Sequence, residues 1–168
     1  MKRFQALILA LLITSCGVTV NYDYEKGTDF TQYKTYNYFD DMQTGLSQLD
    51  AKRFFNLLDS QLQKKGFVLS ETPDFIIDVK SETYQSAQTS SVGMGVGSGG
   101  GGMSVGIPIG QGSISRQIVL DFVDGKTQQL FWQGVSSEPA APENTPEARE
   151  AQFQKVVIKL LEKYPPKK

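Results

Sequence analysis

No histidine occurs in the 168 residues, and there is only one cysteine, Cys16. The first absence removes the commonest general base and the commonest metal ligand. The second removes internal disulfides and, with histidine gone, Ser/His/Asp and Cys/His nucleophilic schemes as well. No apolar run approaches the roughly 20 residues of a membrane-spanning helix. Excess charge of either sign is also lacking: 17 basic and 18 acidic side chains leave a formal charge of −1. This gives no support for nucleic-acid binding or for electrostatic docking of the whole molecule on anionic lipid.

The longest apolar run, Ala6 to Ile13, follows Lys2-Arg3 and has the length of a signal-peptide core. Ile13-Thr14-Ser15-Cys16 ends it and resembles the bacterial lipobox: an aliphatic residue, two small residues and the cysteine that takes diacylglycerol. Residues 1–15 are therefore expected to be a removable leader, with Cys16 as the lipidated first residue of a single domain, 16–168. Two or more acyl chains anchor stably where one holds only marginally. Gly17 stands where many inner-membrane lipoproteins carry aspartate, which points to the outer membrane. Losing Lys2 and Arg3 leaves 15 basic against 18 acidic residues.

Beyond the leader, apolar periodicity alternates between two and 3.6. Val18, Val20, Tyr22 and Tyr24 alternate with polar residues, and residues 34–39 are aromatic and β-branched. Ser47-Gln48-Leu49-Asp50 resembles a capping box opening a helix over 47–65, with Ala51, Phe55, Leu58 and Leu62 as its apolar stripe. Strands are expected at 67–69, 74–84, 114–123 and 129–135, with Asp124-Gly125 as a tight positive-φ hairpin. Thr145-Pro146 starts a second helix whose buried face is Phe153, Val156, Val157, Leu160, Leu161 and Tyr164. The expected fold class is α+β: one mostly antiparallel sheet with both helices packed on one face.

Residues 92–112 are Gly-rich. Gly95, Gly97 and Gly100 satisfy a bare G-x-G-x-x-G, but nothing after them can start the helix that a phosphate needs. Met94, Val96, Met103 and Val105 instead alternate about a four-glycine tip. The segment reads either as a loose surface hairpin or as a flap for partner contact.

Candidate chemistry then falls on carboxylates and aromatics. Asp74 and Asp78 share a strand face, and Asp121 and Asp124 flank a turn, yet spacing alone makes neither a catalytic pair. Asp74 reads better as a strand start and Asp124 as a turn residue. Asp40-Asp41 lacks the ligand loop that calcium requires. Tyr36, Tyr38 and Trp132 belong to a dense aromatic set that could stack on a small ligand or glycan, or simply pack the sheet against the helices. No catalytic residue, cofactor or metal site is expected.

Tyr22-Asp23-Tyr24, then Asp29-Phe30-Thr31-Gln32-Tyr33-Lys34-Thr35-Tyr36-Asn37-Tyr38, resembles the opening signature of a family of Gram-negative envelope lipoproteins catalogued as a domain of unknown function. Pro73-Asp74-Phe75 and Leu130-Phe131-Trp132-Gln133-Gly134 resemble its later strand motifs, and Tyr38 stands where the family usually has Trp. The resemblance implies an envelope location and a compact α+β fold. It implies no activity, and carries over no functional residue but the lipidated cysteine. A non-catalytic protein that binds an envelope partner is the expected function; a ligand-binding module is the alternative. In a Gram-negative host, the N-terminal peptide of the full chain is expected to begin at Cys16 with the mass of an acylated cysteine, and Cys16→Ser to release the protein from membranes.

Overall fold

The computed structural model describes residues 18–86, 113–139 and 145–167. Cys16 and the Gly-rich residues Met94, Val96, Met103 and Val105 lie outside them. The elements are β1 (Thr19–Tyr24), a 3-10 turn (Phe30–Gln32), β2 (Thr35–Tyr38), α1 (Gln48–Lys64), β3 (Val68–Leu69), β4 (Phe75–Ser86), β5 (Ser113–Asp124), β6 (Leu130–Pro139) and α2 (Pro146–Leu161). One six-stranded sheet runs in the order β1-β6-β5-β4-β2-β3. The β1-β6-β5-β4 pairings are antiparallel, whereas β2 pairs parallel with both β3 and β4. Parallel neighbours need a crossover, and α1 supplies it between β2 and β3. The fold is therefore α+β with a mostly antiparallel sheet, as expected.

The helices start where the sequence predicts. Ser47 Oγ accepts from the Asp50 amide at 3.2 Å, and Thr145 Oγ1 accepts from the Ala148 amide at 3.2 Å. Each satisfies one amide that a helix start leaves without an intrahelical partner. The two helices lie side by side in the same direction. Arg149 reaches Asp50 (2.8 Å) at their N-terminal ends, and Lys65 Nζ donates to the Tyr164 carbonyl (3.0 Å) at the other end. The stripe of α1 keeps Leu58 and Leu62 but passes through Asp50 and Phe54, both buried, where the sequence predicts Ala51 and Phe55, which are only partly covered. A helix face 3.6 residues wide admits either phenylalanine, and the contact between Phe54 and Phe153 of α2 decides (ring centroids 5.9 Å).

Strand alternation sends Phe75, Ile77 and Val79 of β4 and Ile118, Leu120 and Phe122 of β5 to the helix side, all fully buried. On β6 the alternation is broken. Phe122 pairs with Trp132 and Val123 with Leu130, so Phe131 is an extra residue in a β-bulge. Phe131 and Trp132 are consecutive, yet both are buried. Phe131 stacks on Tyr33 (centroids 4.0 Å, planes 9° apart), while Trp132 meets Phe122 at 4.8 Å and Tyr164 at 5.2 Å. The indole Nε1 of Trp132 and the hydroxyl of Tyr164 are buried with no hydrogen-bond partner among the described residues. Each such group costs about 1–3 kcal/mol, which the surrounding aromatic packing must offset.

The tight positive-φ turn expected at Asp124-Gly125 is not formed. Residues 125–129 connect the strands, and the left-handed residue is Gln128 (φ 58°) rather than Gly125. Gly125 is needed for closeness instead: a Cβ there would sit 2.4 Å from the Pro73 carbonyl oxygen. Gly134 answers the same need inside the core. A Cβ at Gly134 would lie 2.5 Å from Trp132 Cη2 and 3.0 Å from Leu160 Cδ2. Residues two apart share a strand face, so the glycine is the seat of the indole. Gly134→Ala is expected to destabilise the fold by about 1–3 kcal/mol through overpacking, read as a lower urea midpoint with unchanged slope.

Candidate functional site

The candidate residues from the sequence divide into those the fold uses internally and those it leaves on one open surface. Asp29 opens the 3-10 turn: its carboxylate accepts from the Thr31 amide (3.0 Å) and hydroxyl (2.7 Å). That turn places Phe30 against Tyr164 (5.8 Å) and Phe131 (6.0 Å), and delivers Tyr33 to its stack on Phe131. Asp74 Oδ2 accepts from the amides of Lys34 and Thr35 and from Thr35 Oγ1, each at 2.9 Å. In return the Asp74 amide donates to Thr35 Oγ1 (2.9 Å). This clamp sets the parallel register of β2 against β4. Asp124 accepts from the amides of Lys126 and Thr127 (2.9 and 2.8 Å) and from the Tyr33 hydroxyl (3.0 Å). Neither Asp74–Asp78 nor Asp121–Asp124 is a free pair of carboxylates facing a cleft.

The aromatic surface is corrected in the same way. Tyr36 and Trp132 are fully buried, so they cannot stack on a ligand. Tyr36 and Tyr38 both donate to Asp59 Oδ1, at 2.8 and 2.6 Å, which ties β2 to α1. Burial, and then the bond to Asp59, pushes both hydroxyl pKa values upward. Their aromatic character was legible from the sequence; which ones face inward depended on the register of β2 and on the bulge in β6.

The helix-free face of the sheet collects what remains. One cross-strand row runs Asp23, Gln133, Asp121, Asp78 over β1, β6, β5 and β4. The row beside it runs Asn21, Val135, Val119, Lys80, and the row on its other side contains Val123 and Ile76. Asp78 and Asp121 stand directly opposite each other, where like charges are unfavourable. Lys80 pairs with Asp78 (2.7 Å) and Gln133 Nε2 donates to Asp121 (2.7 Å), which relieves the conflict. The valines, the isoleucine and both aspartates are half-buried, and no described helix lies over them. The row joins residues up to 110 positions apart, so alternation within each strand is the only trace it leaves in the sequence.

Two further features complete the surface. A hollow of about 320 Å³ at the C-terminal end of α1 is lined by Phe30, Tyr33, Lys34, Lys65, Phe67 and Pro165, among others. No cluster of three or more metal-ligating side chains occurs among the described residues.

The carboxylates differ in their titration. Burial pushes the Asp74 carboxyl up, but three hydrogen bonds from Lys34 and Thr35 outweigh it and hold it below its usual value. The Thr127 and Lys126 amides and the Tyr33 hydroxyl hold Asp124 low against its burial. For Tyr33 itself, burial followed by the bond to Asp124 raises the hydroxyl to about 12. Asp121 is the exception: burial raises it, against Gln133 and Lys80. A depressed carboxylate stabilises the fold above the unfolded value of about 3.9 and loses that contribution as pH falls. A raised one has the opposite sign and opposes folding at neutral pH. Asp74→Asn is therefore expected to lower Tm at pH 7, with the gap to the parent chain closing near pH 2. Asp121→Asn should raise Tm at pH 7 and match the parent at pH 3, both read by thermal melts across pH.

Comparison with known proteins gives a consistent placement. A family model described as a domain of unknown function (DUF4136) matches residues 20–166. No curated protein matches the chain. A PDZ domain protein from Parabacteroides distasonis ATCC 8503 superposes over 98% of this chain with TM-score 0.60 and 14% identity; the chain spans 40% of that protein's length. PelC from Paraburkholderia phytofirmans, solved as a dodecamer, aligns with 86% of this chain and 94% of its own at TM-score 0.51 and 9% identity. A DUF4136 family protein from Bacteroides thetaiotaomicron aligns over 86% of this chain and 97% of its own at TM-score 0.48 and 14% identity. At such identities, the first two likenesses show a shared fold alone. With the signature residues accounted for and the family model covering nearly the whole chain after the leader-like segment, the protein belongs to the DUF4136 family.

Proposed function

We propose that this protein is a lipid-anchored component of the bacterial outer membrane that acts by binding an envelope protein, without catalysis. The observation that carries the reading is the helix-free sheet face. Asp29 and Asp74 of the signature motifs and Asp124 of the hairpin are engaged in holding strands and turns together. What stays available is a broad surface with an acidic row between aliphatic rows. Its chemistry suits a partner surface of aliphatic side chains with lysine or arginine opposite Asp78 and Asp121. That PelC, of the same fold, is a dodecamer accords with this fold serving assembly rather than chemistry. The lipobox-like Ile13-Thr14-Ser15-Cys16 supplies the anchor in this reading.

A second reading, a small-ligand module, moves from the buried Tyr36 and Trp132 to the hollow beside Phe30 and Phe67. Its volume, about 320 Å³, is at the lower end for ligand sites, and Lys34 and Lys65 at its wall would suit an acidic head group. The two readings separate by photocrosslinking in cells. A benzophenone residue at Val119 or Val135 is expected to give one defined protein adduct, lost on adding Asp78→Lys. The same residue at the exposed Lys52 of α1 should give none. Absence of any adduct from the sheet face, with saturable ligand binding lost in Phe67→Ala, would overturn the partner reading in favour of the hollow.

A further inference from the structure

The near-neutral charge of the chain conceals a local separation, and the lysines concerned gather beside the anchor. Val18, the first described residue, is 5% exposed, and its carbonyl accepts from Lys159 Nζ at 2.6 Å. Cys16 is only two residues earlier. A chain spans at most about 3.6 Å per residue, so two residues make a short tether. In the lipid-anchor reading, acyl chains on Cys16 are tethered two residues from the Val18–Lys159 contact.

Lys155 is one helical turn before Lys159, and Lys163 follows four residues after it, just past the end of α2. All three are exposed. Lys163 Nζ lies 5.9 Å over the ring of Tyr22, which stacks on Tyr24 at 6.3 Å. Tyr22 and Tyr24 remain 43% and 41% exposed. Lysines on flexible stems beside half-exposed tyrosines match the polar-apolar boundary of a membrane. Glu162 is an acidic neighbour on the exposed side of the helix, and Glu147 and Glu150 lie in its first turns. The three lysines outnumber the one carboxylate within their own span. The acidic row of Asp23, Asp121 and Asp78 belongs to the opposite face of the sheet.

We propose that Lys155, Lys159 and Lys163 form a contact strip for anionic phospholipid headgroups, laying the β1–α2 edge of the anchored domain along the membrane. This rests on the lipid-anchor reading above. The strip sets orientation rather than attachment: charge attraction to a membrane decays within about 8 Å at physiological salt, so it acts only once the anchor holds the domain close. With this edge down, the acidic sheet face remains accessible to a protein partner.

The test is lysine acetylation followed peptide by peptide by mass spectrometry. The processed protein is compared in detergent, in vesicles of phosphatidylethanolamine with phosphatidylglycerol, and in phosphatidylcholine vesicles. Labelling of Lys155, Lys159 and Lys163 is expected to slow by about fivefold each on the anionic vesicles, with Lys34, Lys52 and Lys80 unchanged. Phosphatidylcholine should give little protection. The triple variant Lys155→Gln, Lys159→Gln, Lys163→Gln should melt like the parent and stay in the membrane fraction. Its residues 19–24 should then exchange hydrogen on anionic vesicles as fast as in detergent. Equal labelling of the strip in vesicles and detergent, or equal protection on both vesicle types, would overturn the proposal. If the N-terminal peptide carries no lipid, the anchor reading fails by itself. The full chain is then coupled through Cys16, its lone thiol, to a maleimide-headgroup lipid, and the same labelling pattern upholds or overturns the strip.

Discussion

Everything on the helix side of the sheet is arranged around one extra residue. The bulge at Phe131 turns two consecutive aromatic side chains into the same core, where a regular strand would bury one and expose the other. Phe131 receives Tyr33 and Phe30 from the first signature motif, while Trp132 receives Phe122 and Tyr164. The N-terminal segment, the central hairpin and the end of the last helix thus meet at adjacent positions of one strand. Gly134 completes the arrangement by leaving room for the indole. In a chain with a single cysteine, this aromatic cluster joins the first signature segment to the end of α2.

The family signature takes on a physical meaning in this light. Asp29 caps a turn and Asp74 clamps a parallel register; Tyr33, Tyr36, Phe75, Phe131 and Trp132 fill the core; Gly134 makes space for tryptophan, while Tyr22, Asp23 and Tyr24 stay at the surface. These are requirements of a scaffold. Charge is divided between the surfaces. Acidic groups occupy the centre of the open sheet face, and lysines follow the β1–α2 edge. A formal charge of −1 for the whole chain cannot register that division, because it sums over faces that point in different directions.

Local signals were read correctly wherever local physics decided. Ser47 and Thr145 cap their helices, and Phe75, Ile77 and Val79 are the buried side of β4. Failures fall where a distant element intervened. Asp124-Gly125 has the composition of a tight positive-φ turn, but the left-handed residue is Gln128, and Gly125 lies against the Pro73 carbonyl. Phe55 fitted the helical stripe as well as Phe54 until Phe153 of α2 chose between them. Tyr36 and Trp132 could not be told from surface aromatics without the strand order.

The alternation of strands and helices, the caps, the core faces of β4 and α2 and the family were legible in the sequence, since each is written in neighbouring residues or in a motif. Only the tertiary structure decided the parallel placement of β2 between β3 and β4, the bulge that buries Phe131 beside Trp132, and the row that brings Asp23, Gln133, Asp121 and Asp78 together. Those features depend on pairing between segments far apart in the chain, where register and packing density, rather than local preference, set the lowest free energy.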